Sequence, residues 1–188
     1  MSALPHFAIS PAEYLVQERA AEYKSEYYNG HPYVLAGASE RHNTISGNVF
    51  VELHTALKQR PCKVYTNDLK VATPGLYKFF YPDVVVVCGT PQFHDSEKDV
   101  VLNPLLIIEV LSESTERYDR GQKFQTYQQI ESLREYVLVA QNDFVVETFS
   151  LQDNGDWLYH KASGLNNIIT LTALGCQLAL ADIYAKVE

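Results

Sequence analysis

The sequence predicts a mixed α/β domain, with strands in the middle of the chain and helices on either side. Three observations predict it. Residues 83–88 and 105–111 are apolar except for Asp83 and Glu109, the character of strands buried at the centre of a sheet. Residues 40–57 carry Ile45, Val49, Leu53 and Leu57 on one helical stripe. A chain of 188 residues fits one domain, 1–188, that can bury about 70% of its unfolded surface without a disulfide staple.

The elements follow in order. Ser10-Pro11 supplies an N-cap and a proline at the first helical position, opening a short helix to residue 21. Residues 24–29 and 32–36 read as a hairpin around Gly30-His31. The helix at 40–57 places His42 one turn before Ile45, on the inward stripe. Residues 63–66 and 69–72 are short strands, and 83–88 and 105–111 are the two central ones. Residues 117–131 are helical, with Arg120, Lys123, Tyr127 and Ile130 on one face. Strands follow at 135–140, 145–151 and 157–161, and residues 180–186 form a last short helix.

Composition narrows the function classes. Hydrophobic residues make up 46% of the chain and the net charge is −8, which favours a folded domain over disorder. No apolar run approaches the ~18 residues of a membrane span, and the first ten residues lack the pattern of a secretory signal. Cys62, Cys88 and Cys176 are odd in number and far apart, so reduced, buried thiols in a cytoplasmic protein are expected. Residues 1–94 are neutral, with eight acidic and eight basic residues, so the whole net charge of −8 lies in residues 95–188. Between 58 and 78, Lys58, Arg60, Lys63, Lys70 and Lys78 face only Asp68 and interleave with aromatics. Such a strip can follow a phosphate backbone, although a solvated surface over core aromatics is the plainer account. There is no GxGxxG, GxxxxGK[ST] or GxSxG, so dinucleotide, P-loop and serine-hydrolase chemistry have no support.

Glu109 is the most informative residue. A lone carboxylate inside Leu105-Leu106-Ile107-Ile108-Glu109-Val110-Leu111 is costly to bury and must be paired, protonated or bound to metal. Asp83 follows Tyr81-Pro82 and opens the second apolar strand. Two carboxylates on neighbouring strands can share a hard cation, and Mg²⁺ favours one or two carboxylates with water and phosphate oxygens. A salt bridge is the simpler account for either residue alone; the pair argues for a site. Glu26 is a candidate third acid, although an isolated Glu in a short polar strand is usually solvated. Lys123 is the candidate cation, against the alternative of an i,i+4 pair with Asp119. A single inward His42, without a second His or Cys at ligand spacing, argues against zinc. Asp68-Leu69-Lys70 is a weaker acid-and-lysine pair on one strand face.

These residues, taken in order, resemble a known family. Tyr81-Pro82-Asp83 with four valines, Ile107 to Thr115, Asp119-Arg120-Gly121-Gln122-Lys123 with Tyr127, and Glu135 to Val139 are similar to the Uma-two restriction-endonuclease family. That family is a branch of the PD-(D/E)XK nuclease superfamily, and the resemblance spans residues 10–185. It implies a restriction-endonuclease-like core, a mixed central sheet flanked by helices. It also implies that Asp83, Glu109 and the carbonyl of Val110 hold Mg²⁺, with Mn²⁺ as substitute, and that Glu26 completes the site. The superfamily lysine two residues after the second acid is Leu111 here, and the resemblance assigns the ammonium to Lys123 instead.

The resulting expectation is a metal-dependent endonuclease acting on DNA, a homodimer with no membrane partner. His42, Lys58, Arg60, Lys63 and Lys70 would contact nucleic acid. The alternative is an inactive nuclease-fold protein that binds DNA or dimerises, favoured by the charge of −8 and by Leu111. RNA or a repair intermediate is a third substrate class.

Overall fold

Two sheets, and the chain segment that passes between them, organise the molecule. The computed structural model describes residues 8–187. The chain runs through α1 (Pro11–Ala20), β1 (Ser25–Tyr28), β2 (His31–Val34), α2 (Glu40–Leu57), β3 (Cys62–Thr66), β4 (Lys70–Ala72), β5 (Lys78–Phe80) and β6 (Val84–Cys88). It continues through β7 (Val100–Val101), β8 (Leu106–Leu111) and α3 (Glu116–Tyr118), then a π-helical turn (Asp119–Lys123) into α4 (Phe124–Tyr127). Then come β9 (Glu135–Ala140), β10 (Val145–Leu151), β11 (Trp157–Ser163), β12 (Ile168–Leu171), β13 (Cys176–Ala179) and α5 (Leu180–Ile183).

The strands form a six-stranded sheet, β11-β10-β9-β8-β6-β3, a five-stranded sheet, β2-β1-β5-β4-β7, and a β12-β13 pair. In the six-stranded sheet β8 and β9 are parallel and the remaining neighbours antiparallel. The mixed α/β class expected from the sequence is the one observed.

Strand alternation splits the core. Val84, Val86, Leu106, Ile108 and Val110 face α2, packing with Ile45, Val49, Leu53 and Leu57. Val85, Val87, Ile107 and Leu111 face the other way, onto Phe124, Tyr127 and Ile130. Because β6 and β8 are buried on both faces, their apolar runs are nearly unbroken. The same alternation puts Glu109 on the side of Ile107, facing Lys123 and Tyr127, while Asp83, in the link just before β6, reaches Val110 and His42 of α2.

α1 is closed by a capping box: Ser10 Oγ accepts from the Glu13 N–H at 3.2 Å, and Glu13 Oε2 accepts from the Ser10 N–H at 2.8 Å. The hairpin turns at Asn29-Gly30, one residue earlier than expected, with φ of 48° and 96°. Two consecutive positive φ values are the requirement of a type I′ turn, which Asn-Gly satisfies.

Three expectations are corrected. Cys62 and Cys88 are in register on β3 and β6 and form a disulfide, leaving Cys176 free, so the chain does not carry three thiols. Sequence separation concealed a pairing that the antiparallel register creates. The helix expected at 117–131 ends at Tyr127 and widens into the π turn at Asp119. The strands β5, β7, β12 and β13 were not anticipated. No helix among the described residues is long and apolar enough to cross a membrane. The signal-peptide reading rests largely on residues 1–7, outside the described residues.

Candidate active site

The site lies where the chain passes from one sheet to the other. β5 belongs to the five-stranded sheet and β6 to the six-stranded one; Tyr81-Pro82-Asp83 is the link. Proline suits this position because it sits outside both ladders and needs no donor. The link brings Glu26 of β1 to the acids of β6 and β8: Glu26 Oε1 accepts the Tyr81 N–H at 3.2 Å.

Asp83 ends the β6–β8 register. Val84 pairs with Ile108, so Asp83 stands level with Glu109. Its Oδ2 accepts the Val110 N–H at 2.7 Å, and His42 Nε2 lies 3.2 Å away. The side chain thus replaces the backbone partner that β8 loses where β6 begins. Burial opposes charge on His42, but the Asp83 carboxylate and the Val110 carbonyl outweigh it and raise the imidazole pKa. Its buried Nδ1 has no hydrogen-bond partner.

Glu109 is 4% exposed. Its Oε1 accepts the Tyr127 hydroxyl at 2.9 Å and lies 2.9 Å from Lys123 Nζ. Lys123 Nζ also lies 3.2 Å from Glu26 Oε1 and 3.6 Å from Asp119 Oδ1. Burial pulls the Lys123 pKa down, but Glu109, Glu26 and Asp119 raise it well above the usual lysine value. Burial raises Glu109 well above the ordinary carboxylate range; Lys123 opposes this, and Asp119, Asp83 and Glu26 reinforce it. Asp119 is raised for the same first reason.

A π turn carries this part of the site. Asp119 and Lys123, four residues apart, both point inward, as i,i+4 residues also do on an α-helix, while Arg120 leaves the face expected for it and pairs with Glu147 and Glu116. π turns are frequent at functional sites. Sequence spacing assigned Asp119 only to a helical pair with Lys123, and nothing in the residue pattern signals an inserted π turn. The Tyr127 hydroxyl on Glu109 was likewise not foreseen, although Tyr127 was placed on the correct face.

Asp83, Glu109 and the Val110 carbonyl are hard oxygen donors, a set suited to Mg²⁺ and unsuited to zinc. Lys123 pairs with Glu26, Glu109 and Asp119, and His42 with Asp83, so among the described residues four acids share these two cations and an added cation fits the charge. Among the described residues, no three His, Cys, Asp or Glu side chains already converge on one ion position. The acids are turned instead toward Lys123 and His42.

Comparison with known proteins gives this geometry a relationship. The Uma2 family, described as "Putative restriction endonuclease", matches residues 11–181. The chain belongs to the Uma2 family. It is 35% identical over 158 residues to the uncharacterized protein sll1609 of Synechocystis, covering 84% of this chain and 89% of that one. It is 33% identical over 180 residues to slr1290 of the same organism, covering 96% and 93%. A crystal structure of a "putative nuclease belonging to DUF820" from Anabaena variabilis superposes with a TM-score of 0.77. That match covers 96% of this chain and 99% of the other at 14% identity, which establishes a shared fold.

In this Uma2 chain Leu111 is 3% exposed and packs in the core beside Phe124 and Tyr127, so the strand offers no ammonium there. Of the residues expected to touch nucleic acid, Lys58 and Lys63 are exposed. Arg60 donates to the carbonyls of Leu174 and Gly175. Lys70 is 3% exposed, bound to Asp99 and Tyr81, which corrects its placement in a surface strip. Asp68 pairs with Lys24, so Asp68 and Lys70 form no site together.

Proposed function

We propose that the chain, as one domain spanning residues 1–188, is a divalent-metal-dependent endonuclease that hydrolyses DNA phosphodiester bonds. The observation that carries this reading is the buried Lys123 ammonium shared by Glu26 and Glu109, with Asp83 level with Glu109 on the neighbouring chain segment. Asp83, Glu109 and the Val110 carbonyl would hold Mg²⁺, with Mn²⁺ as substitute. A bound ion there supplies polarisation of a phosphoryl oxygen and a lowered pKa for its water.

The chain's own groups do the rest. Lys123 keeps its proton at neutral pH, so its ammonium can balance charge that develops on phosphoryl oxygens. Glu26 holds that ammonium and Tyr127 holds Glu109, so little reorganisation is needed when charge appears. His42 supports Asp83. Lys58, Arg60 and Lys63 contribute to backbone binding, and a homodimer belongs to the same reading; the expectation of a cytoplasmic location rested on reduced thiols and loses that footing with the Cys62–Cys88 disulfide.

A second reading, an inactive module that binds DNA or dimerises, is favoured by one observation. Lys123 and His42 already satisfy the acids, as structural ion pairs would.

Mn²⁺ titration by calorimetry separates the two, using wild type, Asp83→Ala and Glu109→Ala, with circular dichroism as folding control. Binding by wild type that is lost in both folded variants, together with metal-dependent nicking of plasmid DNA lost in both, is expected. Cleavage unchanged in either variant would sink the assignment. Wild type that neither binds Mn²⁺ nor cuts DNA supports the inactive module.

A further inference from the structure

The inward cations of this chain are mostly neutralised by acids. Arg19 meets Asp95 and Asp99, Lys24 meets Asp68, Lys70 meets Asp99, and Arg120 meets Glu116 and Glu147. Lys78 is different. Its Nζ donates to Thr126 Oγ1 at 2.9 Å and lies 4.1 Å from the centre of the Tyr28 ring. Both partners are uncharged, and among the described residues Lys78 makes no ion pair. The side chain is therefore held in position with no carboxylate against it.

Its place is set by the same elements that build the acid cluster. Lys78 stands opposite Tyr28 across β1 and β5. Glu26 precedes Tyr28 by two residues on the same, partly exposed face of β1, about 7 Å along the strand. On the helix side, Thr126 follows Lys123 by three residues, and Gln122 precedes Lys123 by one. Gln122 Nε2 donates to the Tyr28 hydroxyl at 2.9 Å, and Thr126 Oγ1 donates to the Gln122 carbonyl at 2.8 Å. The Lys78 ammonium draws the Tyr28 phenol below its usual pKa, a sign of how directly the two face each other.

Four carboxylates repel a polyanion. An uncompensated cation within a Debye length of about 8 Å offsets that repulsion where a nucleic-acid strand must approach. We propose that Lys78, held by Thr126 and Tyr28 with Gln122 alongside, is a phosphate-contact station for the nucleic-acid backbone next to the scissile position. The station rests on the nuclease reading above. It takes the phosphodiester as a point charge, without reading sequence. Thr126 and Tyr28 hold the ammonium, and Gln122 fixes the Tyr28 hydroxyl.

The test is fluorescence anisotropy of a labelled DNA duplex against salt concentration. The buffer contains Ca²⁺, a hard cation for the same oxygen donors. The proteins are wild type, Lys78→Gln, Lys78→Arg and the exposed control Lys98→Ala, each checked by circular dichroism. Lys78→Gln can still donate to Thr126 and so preserves the local packing. It is expected to weaken binding several-fold and to reduce the slope of log K against log salt by about 0.9, one phosphate contact. Lys78→Arg and Lys98→Ala keep the wild-type slope, and calorimetric Mn²⁺ binding is unchanged in Lys78→Gln. Wild-type binding with the same slope in folded Lys78→Gln overturns the station alone. Failure of wild type to bind any duplex at low salt overturns the station together with the nuclease reading.

Discussion

Lys123 shows how the site is held at the scale of single residues. Its ammonium is withdrawn from water, and three carboxylates, Glu109, Glu26 and Asp119, replace the hydration it loses. Removing one member of a buried pair leaves the other charge uncompensated, which costs about 3–5 kcal/mol, whereas removing both costs much less. Lys123→Met is therefore expected to destabilise the fold by about 3 kcal/mol at neutral pH. Adding Glu109→Gln should recover part of that loss, since the neutral amide can still accept from the Tyr127 hydroxyl. A double-mutant cycle by urea unfolding checks this, with a coupling above about 1 kcal/mol expected. Additive single effects would show that Glu109 is held by Tyr127 and its strand, not by Lys123.

At the scale of elements, the positions of the acids depend on turns as much as on strands. β1 carries Glu26, and β1 is shaped by the Asn29-Gly30 turn. Gly30 has φ of 96°, a Cβ there would sit 2.7 Å from the Ala8 Cβ, and its carbonyl accepts the Ile9 N–H at 2.9 Å. Gly30→Ala is expected to cost about 1–3 kcal/mol. In a chain of this size that lowers Tm by about 2–4 °C for each kcal/mol. Thermal melting measures it, and an unchanged Tm would mean the turn relaxes freely. The central elements were legible beforehand because their signals are local. The runs after Asp83 and around Glu109 announce buried strands, and Ile45, Val49, Leu53 and Leu57 announce α2. Asp83 and Glu109 could be picked out because each is a charge at or inside an apolar strand, and Lys123 because its helical face turns inward with Tyr127 and Ile130; Lys123 meets Glu109, and Asp83 stands level with Glu109. What was not legible is set by long-range register. The Cys62–Cys88 pairing depends on which strand lies beside β3. The burial of Lys70 depends on Asp99, 29 residues away. Strands as short as Val100–Val101 carry no periodicity of their own.

At the scale of the whole molecule, a net charge of −8 conceals local pairing that ties distant segments together. Arg19 of α1 lies 2.6 Å from Asp99 and 2.8 Å from Asp95, and Lys70 of β4 lies 2.9 Å from Asp99. Tyr81, in the link between the sheets, accepts from Lys70 at 3.2 Å and donates to Glu18 at 2.9 Å. Asp99 thus joins α1, β4 and the segment before β7, and Arg19, then Lys70, hold its carboxyl well below the usual range. A depressed folded-state pKa contributes stability that is present above the unfolded value of about 3.9 and is lost as pH falls through the folded value. Glu109, Asp119 and Glu135 act in the opposite sense: burial raises them, so their stabilising contribution is present at low pH and fades as pH rises through their folded values. The total pH profile mixes the two, but the difference between wild type and Asp99→Asn isolates the first. That variant leaves Lys70, 3% exposed, without its carboxylate. It should cost about 2 kcal/mol at pH 7, below the range for a fully buried pair because Asp99 is partly solvated. The gap should narrow steadily as pH falls below about 4, where Asp99 of the unfolded wild-type chain takes up a proton that the folded chain does not. Urea unfolding of both proteins from pH 7 down to about pH 3 reads it directly. A gap that stays constant over that range would show that Asp99 acts through packing and hydrogen bonds an asparagine cannot make, and not through its charge.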